Sequence, residues 1–195
     1  MTRKTTTPGA LRGTALKRFH RDFRRRQPIR HDIAVLLQSV EYPVNVGSVF
    51  RIADAANISA LILTGITPTP PNPTLVKVAR HKHRCVSWRY EQEVSESILE
   101  LKGAGYKVFA LEITEGATPY DQVDWPEQIC LVVGHEDHGI TRSTLSLCDE
   151  AVYIPMWGKG LSLNLHVSLA IVLFHIRHVG LAGGDVRCPS GGVVG

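Results

Sequence analysis

The stretch IPMWGKGLSLNLHVSLAIVLFHI, Ile154 to Ile176, decides how this chain is read. A short β-branched run ends at Pro155, a loop punctuated by Gly158 and Gly160 follows, and Ser162-Leu-Asn164 opens a strongly apolar helix. That order suits a small-molecule pocket built largely from backbone, with the loop around the ligand and the helix behind it. At helical spacing, Leu165, Leu169, Val172, Leu173 and Ile176 form one stripe. Val167, Ala170, Ile171 and Phe174 cover much of the opposite face. A helix apolar nearly all round is buried on two sides, and the second side suits another subunit.

Upstream, short apolar runs alternate with helical patterns. Ile33 to Leu37 reads as a buried parallel strand, followed after Tyr42-Pro43 by a helix over 46–57 and a strand over 60–63. The Pro-rich loop 67–73 is too rigid and donor-poor for regular structure. A helix is expected over 75–80, a strand over 84–88, a helix over 93–102 and a strand over 107–111. Strands at 129–133 and 151–154 flank a short helix after Thr141. This alternation predicts an α/β fold with a mostly parallel sheet flanked by helices. Ligands in such sheets bind beyond the carboxyl ends of the strands, where segments 45–51, 134–139 and 155–164 fall.

The charge is segregated. Residues 1–30 hold ten Lys and Arg against the single acid Asp22, a net of +9, so the remainder carries −5 of the chain's +4. The expected organisation is a basic arm over 1–30, a catalytic domain over 31–179 and a Gly-rich tail over 180–195. A basic arm on a mildly acidic body suits a polyanion, because neutralising phosphates releases counterions. A solvated extension and an organellar transit peptide are its competing readings. LKRFHRDFRRR is expected to become an interrupted helix. No run is long enough to span a bilayer, no apolar signal segment follows the first residues, and a cytoplasmic location is expected. Cys85, Cys130, Cys148 and Cys188 show no metal-type or disulfide-type spacing and read as reduced thiols.

Three segments carry candidate chemistry. In Asn45-Val-Gly-Ser-Val-Phe-Arg51, Asn45 suits a helix N-cap, Gly47 permits close approach of another backbone, and Arg51 projects from an otherwise apolar helix. Arg51 paired with Asp54 is the bland alternative. In Gly134-His-Glu-Asp-His-Gly139, the terminal glycines let backbone groups face a ligand. His135 with His138, and His81 and His83 with Cys85, have poor zinc spacing, so no metal is expected. Neither a P-loop, a G-x-G-x-x-G helix start nor a G-x-S-x-G elbow is present.

Taken together, these segments resemble the SpoU (TrmH-like) branch of the SPOUT RNA methyltransferases. NVGSVFRIADA, Asn45 to Ala55, looks like the family's first motif, N-x-G-x-x-x-R-x-A-D-A. LVVGHEDHGIT, Leu131 to Thr141, resembles the second, in which a glycine precedes a glutamate and another glycine. IPMWGKGLSLNLHVSLA resembles the third, I-P-M-x-G followed by S-L-N-V-S-V-A. The resemblance covers about 33–178 in the right order. His135, Trp157, His166 and Ser168 depart from it, and 76–88 is more basic than usual, which suits RNA contact or a narrowed substrate range.

The resemblance implies a C-terminal trefoil knot, an exception to the rule against knots, and a homodimer. It implies S-adenosylmethionine bound by Leu111, Gly134, Ile154, Met156 and Leu163, and methyl transfer to a ribose 2′-hydroxyl of tRNA or rRNA. Arg51 would polarise that hydroxyl, with Asn45, Glu136, Ser162 and Asn164 positioning Arg51 and the ribose. In the family the arginine can act across the dimer. The rival readings are a catalytically inactive knotted RNA-binding protein and a base (ring nitrogen) methyltransferase of the same superfamily.

Overall fold

The computed structural model describes residues 9–180. Its strands form one seven-stranded sheet, in the spatial order β3-β2-β1-β6-β4-β7-β5. They are β1 (Asp32–Gln38), β2 (Ala60–Thr64), β3 (Trp88–Glu91), β4 (Lys107–Leu111), β5 (Thr118–Pro119), β6 (Gln128–Val133) and β7 (Glu150–Tyr153). Every pairing between them is parallel. The α/β expectation therefore holds, and all carboxyl ends open on one edge.

Continuous apolar runs produce this sheet because its central strands are covered on both faces. In β1, Ile33 to Leu37 are wholly buried, and alternate side chains enter two separate cores. One core receives Ile33, Val35 and Leu37 with Phe50 of α2 (Pro43–Ala56), Leu75 of α3 (Pro73–Ala79) and Leu169, Val172, Leu173 and Ile176 of α6 (Leu165–Val179). The other packs Ala34 and Leu36 against Ile98 and Leu101 of α4 (Val94–Gly103), with Leu145 of α5 (Arg142–Leu145) beside them. Gly47 is where α3 meets α2: a Cβ there would lie 2.8 Å from Leu75 O and from Val78 Cβ. This is the close approach expected of that glycine.

Several boundaries differ from expectation. The second helix starts at Pro43, not at residue 46, because proline suits the first helical turn, and Tyr42 is its N-cap. Asn45 therefore lies inside that turn and is not the cap. Residues 82–84 form a short 3-10 turn and β3 begins only at Trp88, so the strand expected over 84–88 is displaced. The turn is entered through Arg80 and His81, both at positive φ. The two-residue β5 has too little sequence to leave a pattern.

The arm expectation is partly redrawn as well. Residues Gly13–Arg26 form an unbroken helix, α1, with no buried residue. The tail from residue 181 onward, with Cys188, lies outside the described residues. Cys85, Cys130 and Cys148 are free thiols. No described helix is long and apolar enough to cross a membrane.

Candidate active site

The carboxyl ends of β4, β6 and β7 converge on a cavity of about 720 Å³. Its wall after β6 is the loop 134–139, closed on itself by two hydrogen bonds: His135 N–H to Gly139 O at 3.1 Å and Gly139 N–H to His135 O at 2.9 Å. Only glycine fits at its start. A Cβ on Gly134 would sit 2.2 Å from the carbonyl carbon of Gly139, and Gly139 itself has φ +64°. Leu111, Ile154, Met156 and Leu163 are part of its apolar lining. Leu111, Gly134, Ile154, Met156 and Leu163, the cofactor-binding residues that the resemblance implies, thus all border one cavity.

Glu136, Ser162 and Asn164 also line it. Asn164 is the N-cap of α6, its Oδ1 accepting from His166 N–H at 3.1 Å. Glu136 reaches back to the start of α2. Its carboxylate accepts from Glu41 N–H at 2.9 Å, Tyr42 N–H at 3.2 Å and Asn45 Nδ2 at 2.7 Å. Burial pushes the Glu136 carboxyl up, but the hydrogen bonds from Asn45 and from backbone N–H groups outweigh it and hold the group below its ordinary value. Asn45 Oδ1 in turn faces His166 Nδ1 at 3.0 Å. One chain of hydrogen bonds therefore ties all three motif segments together.

Arg51 stands apart. It is exposed on α2 and does not border the cavity of its own chain. Nor does it pair with Asp54, whose carboxylate is held by Lys82 at 2.7 Å. His135 is occupied differently from a metal ligand: Nδ1 accepts from Asp137 N–H at 3.1 Å and Nε2 lies 3.4 Å from Glu41.

Two supporting residues were not singled out in the sequence. Glu112 lines the cavity and accepts from Ile140 N–H at 3.1 Å, bracing the far end of the glycine loop. Gln38, buried at the end of β1, exchanges two hydrogen bonds with Thr141, the N-cap of α5. Their positions next to strand ends are the only sequence signal they carry.

The sequence pattern of the SpoU rRNA Methylase family matches residues 32–174. The chain belongs to that family. It is 32% identical over 168 residues to a tRNA (guanosine(18)-2′-O)-methyltransferase of Thermus thermophilus, covering 86% of this chain and 84% of that protein. A 23S rRNA (guanosine(2553)-2′-O)-methyltransferase of Bacillus subtilis is 32% identical over 143 residues, covering 73% of this chain and 57% of that protein. Among solved structures, the AdoMet-bound rRNA methyltransferase from Sinorhizobium meliloti superposes with a TM-score of 0.71 at 26% identity. That match covers 78% of this chain and 58% of the longer one. The SpoU fold of this chain is thus shared with enzymes named for tRNA and for rRNA.

Proposed function

We propose that this SpoU-family protein is an S-adenosylmethionine-dependent methyltransferase acting on a ribose 2′-hydroxyl of tRNA or rRNA. The observation that carries the reading is the cavity itself, where the second and third motif segments meet at the strand ends. Its volume suits a small organic cofactor, and its glycine loop presents backbone where no side chain fits. Leu111, Gly134, Ile154, Met156 and Leu163 would hold the cofactor. When bound, it supplies a methyl group already activated on a sulfonium. The chain must then align an in-line attack and manage one proton.

Glu136, Ser162 and Asn164, which border that cavity, would orient the sugar, with Asn45 holding Glu136. Arg51 stabilises charge developing on the 2′-oxygen, since a guanidinium is a very poor base. Its distance from its own cavity supports an assembly in which a second copy supplies it. The homodimer has further support in α6, whose outward face exposes Val167 and Phe174, and in the neighbouring loop, where Trp157 is 93% and Leu161 86% exposed. Large exposed apolar groups clustered in this way mark an interaction surface. The C-terminal trefoil knot belongs to this reading through the family match over residues 32–174.

The body over 31–179 then carries catalysis, and the arm over 1–30 grips RNA. Exposed Lys77, Arg80 and Arg84, beside α2, extend a basic surface toward the same substrate. A cytoplasmic location accords with such RNA. The test is to incubate the full chain with labelled cofactor and RNA and digest the product to nucleosides. A 2′-O-methylated nucleoside is expected. A ring-methylated nucleoside, or cofactor that does not bind, overturns the reading.

A further inference from the structure

His135 and His138, the two histidines of the loop 134–139, both line the cavity, and no role assigned so far employs them. Their ring centroids lie 4.7 Å apart with a tilt of 34°, within aromatic stacking range. His135 is the fixed member. Its Nδ1 accepts from Asp137 N–H at 3.1 Å, so the ring hydrogen sits on Nε2, 3.4 Å from the Glu41 carboxylate. With both nitrogens placed, its side chain is only 14% exposed. His138 leans on that ring and is itself exposed. The backbone beneath the pair is closed by the two hydrogen bonds between residues 135 and 139 and by the left-handed Gly139.

A residue that borders a cavity and is also exposed stands at its mouth. Tyr153 and His135, the other rings in the lining, are part-buried, so His138 is the exposed aromatic surface there. The lining also holds Glu112, Glu136 and Asp137, and no described Lys or Arg. Such a mouth disfavours a phosphate and accepts an uncharged heterocycle. A ribose can present its 2′-hydroxyl to this cavity only by bringing the base on its neighbouring carbon. A base drawn into a protein site loses its stacking neighbours in the RNA, and aromatic faces replace them.

We propose that the exposed face of the His138 ring stacks on the base of the nucleotide to be methylated, with His135 as its backing, an inference that rests on the reading of the cleft as a ribose methylation site. The contact is one of binding, and no proton or covalent bond changes hands at His138. It uses the π-face, so the ring nitrogens are dispensable and any of the four bases satisfies it. A base held at the mouth fixes the sugar attached to it, and with it the 2′-oxygen, relative to the cavity. Because the ring already rests on His135 above a closed loop, stacking costs little rotamer freedom.

The experiment compares the full wild-type chain with His138→Ala and His138→Phe, using unfractionated tRNA and rRNA as substrates. Methyl transfer gives kcat/KM for RNA, calorimetry follows S-adenosylmethionine binding, and denaturant unfolding follows the fold. His138→Ala is expected to lower kcat/KM about 5- to 150-fold, the span of one base–aromatic stack. His138→Phe, which keeps the aromatic face and lacks the nitrogens, is expected to stay within about threefold of wild type. Both variants should bind cofactor and resist denaturant as the wild type does. An undiminished His138→Ala overturns the proposal. So does a His138→Phe as slow as His138→Ala, which assigns the effect to a ring nitrogen. So does a His138→Ala with weakened cofactor binding, which assigns the ring to the cofactor's adenine. Should His138→Ala not fold, His138→Gln, polar and without a ring, is judged by the same criteria. An active wild type with any of these contrary results sinks this proposal alone. A wild type that methylates no ribose sinks the reading of the cleft with it.

Discussion

The Glu136 carboxylate gathers three N–H groups from the segment 41–45, at 2.7 to 3.2 Å. It thereby closes the first turn of a helix to which it does not belong, in place of the side-chain cap that Tyr42 cannot provide. Because its folded-state pKa is lowered, the ionised form is favoured by folding. That stabilisation is complete above the ordinary carboxylate value and is lost as pH falls through the depressed folded one. Glu136→Gln is expected to cost about 1 kcal/mol at neutral pH, after allowance for solvent screening. The gap from wild type should narrow as pH falls below the ordinary carboxylate range, as read by denaturant unfolding across pH. A gap that does not change with pH would show that the charge is immaterial. Arg51→Ala is the complementary case, since exposed Arg51 makes no hydrogen bond or ion pair with a described residue. It should leave cofactor binding and stability unchanged while lowering methyl transfer at least about a hundredfold; an active variant would remove Arg51 from the chemistry.

At the scale of elements, α1 is a helix without a home. Lys17, Arg18, Arg21, Arg24 and Arg25 fall on one arc, and Leu16, Phe19 and Phe23 on the opposite side remain exposed. Such a face matches a phosphate backbone. If five phosphates are engaged, deleting residues 1–30 should reduce the log–log salt slope of RNA binding by roughly 3.5 to 4.5; an unchanged slope would make the arm inert. The elements themselves were legible in proportion to burial. β1, β4 and β6 are apolar runs paired on both sides and could be read almost to the residue. β3 at the sheet edge could not, because 80–88 owes its shape to the left-handed Arg80 and His81 and to packing around Phe50 and Trp88. Asn45 misled because Asn is a favoured cap, yet Pro43 had already started the helix and Glu136, far along the chain, claimed the Asn45 amide. The loops that line the cavity, 134–139 and 155–164, were legible from their glycines and their place at strand ends, whereas Leu111, Ile154, Met156 and Leu163 as individual lining residues came only through the resemblance. The Glu136–Asn45–His166 connection was not legible at all, because nothing in sequence sets the distance between residues 45, 136 and 166.

For the molecule as a whole, the position of Arg51 is the fact that single-chain geometry leaves unused. The sheet order delivers Glu136, Ser162 and Asn164 to one cavity, while α2 carries Arg51 away from it on an exposed face. The outward surface of α6, with Phe174 48% exposed, offers the seam along which a second copy could bring its own Arg51 to this cavity. In a two-fold dimer each copy would then complete the other's site. Mixing inactive variants tests this directly. Arg51→Ala keeps an intact cavity, whereas Gly134→Val, by driving a side chain into the Gly139 backbone, destroys it. If the arginine acts across the interface, a mixed dimer has one complete site: the intact cavity of the first variant with the intact arginine of the second. Refolding the two variants together in equal amounts should restore about one quarter of wild-type activity, from random pairing into half mixed dimers with one working site each. If the arginine serves its own chain, no combination of these subunits contains a complete site, and the mixture stays as inactive as its components.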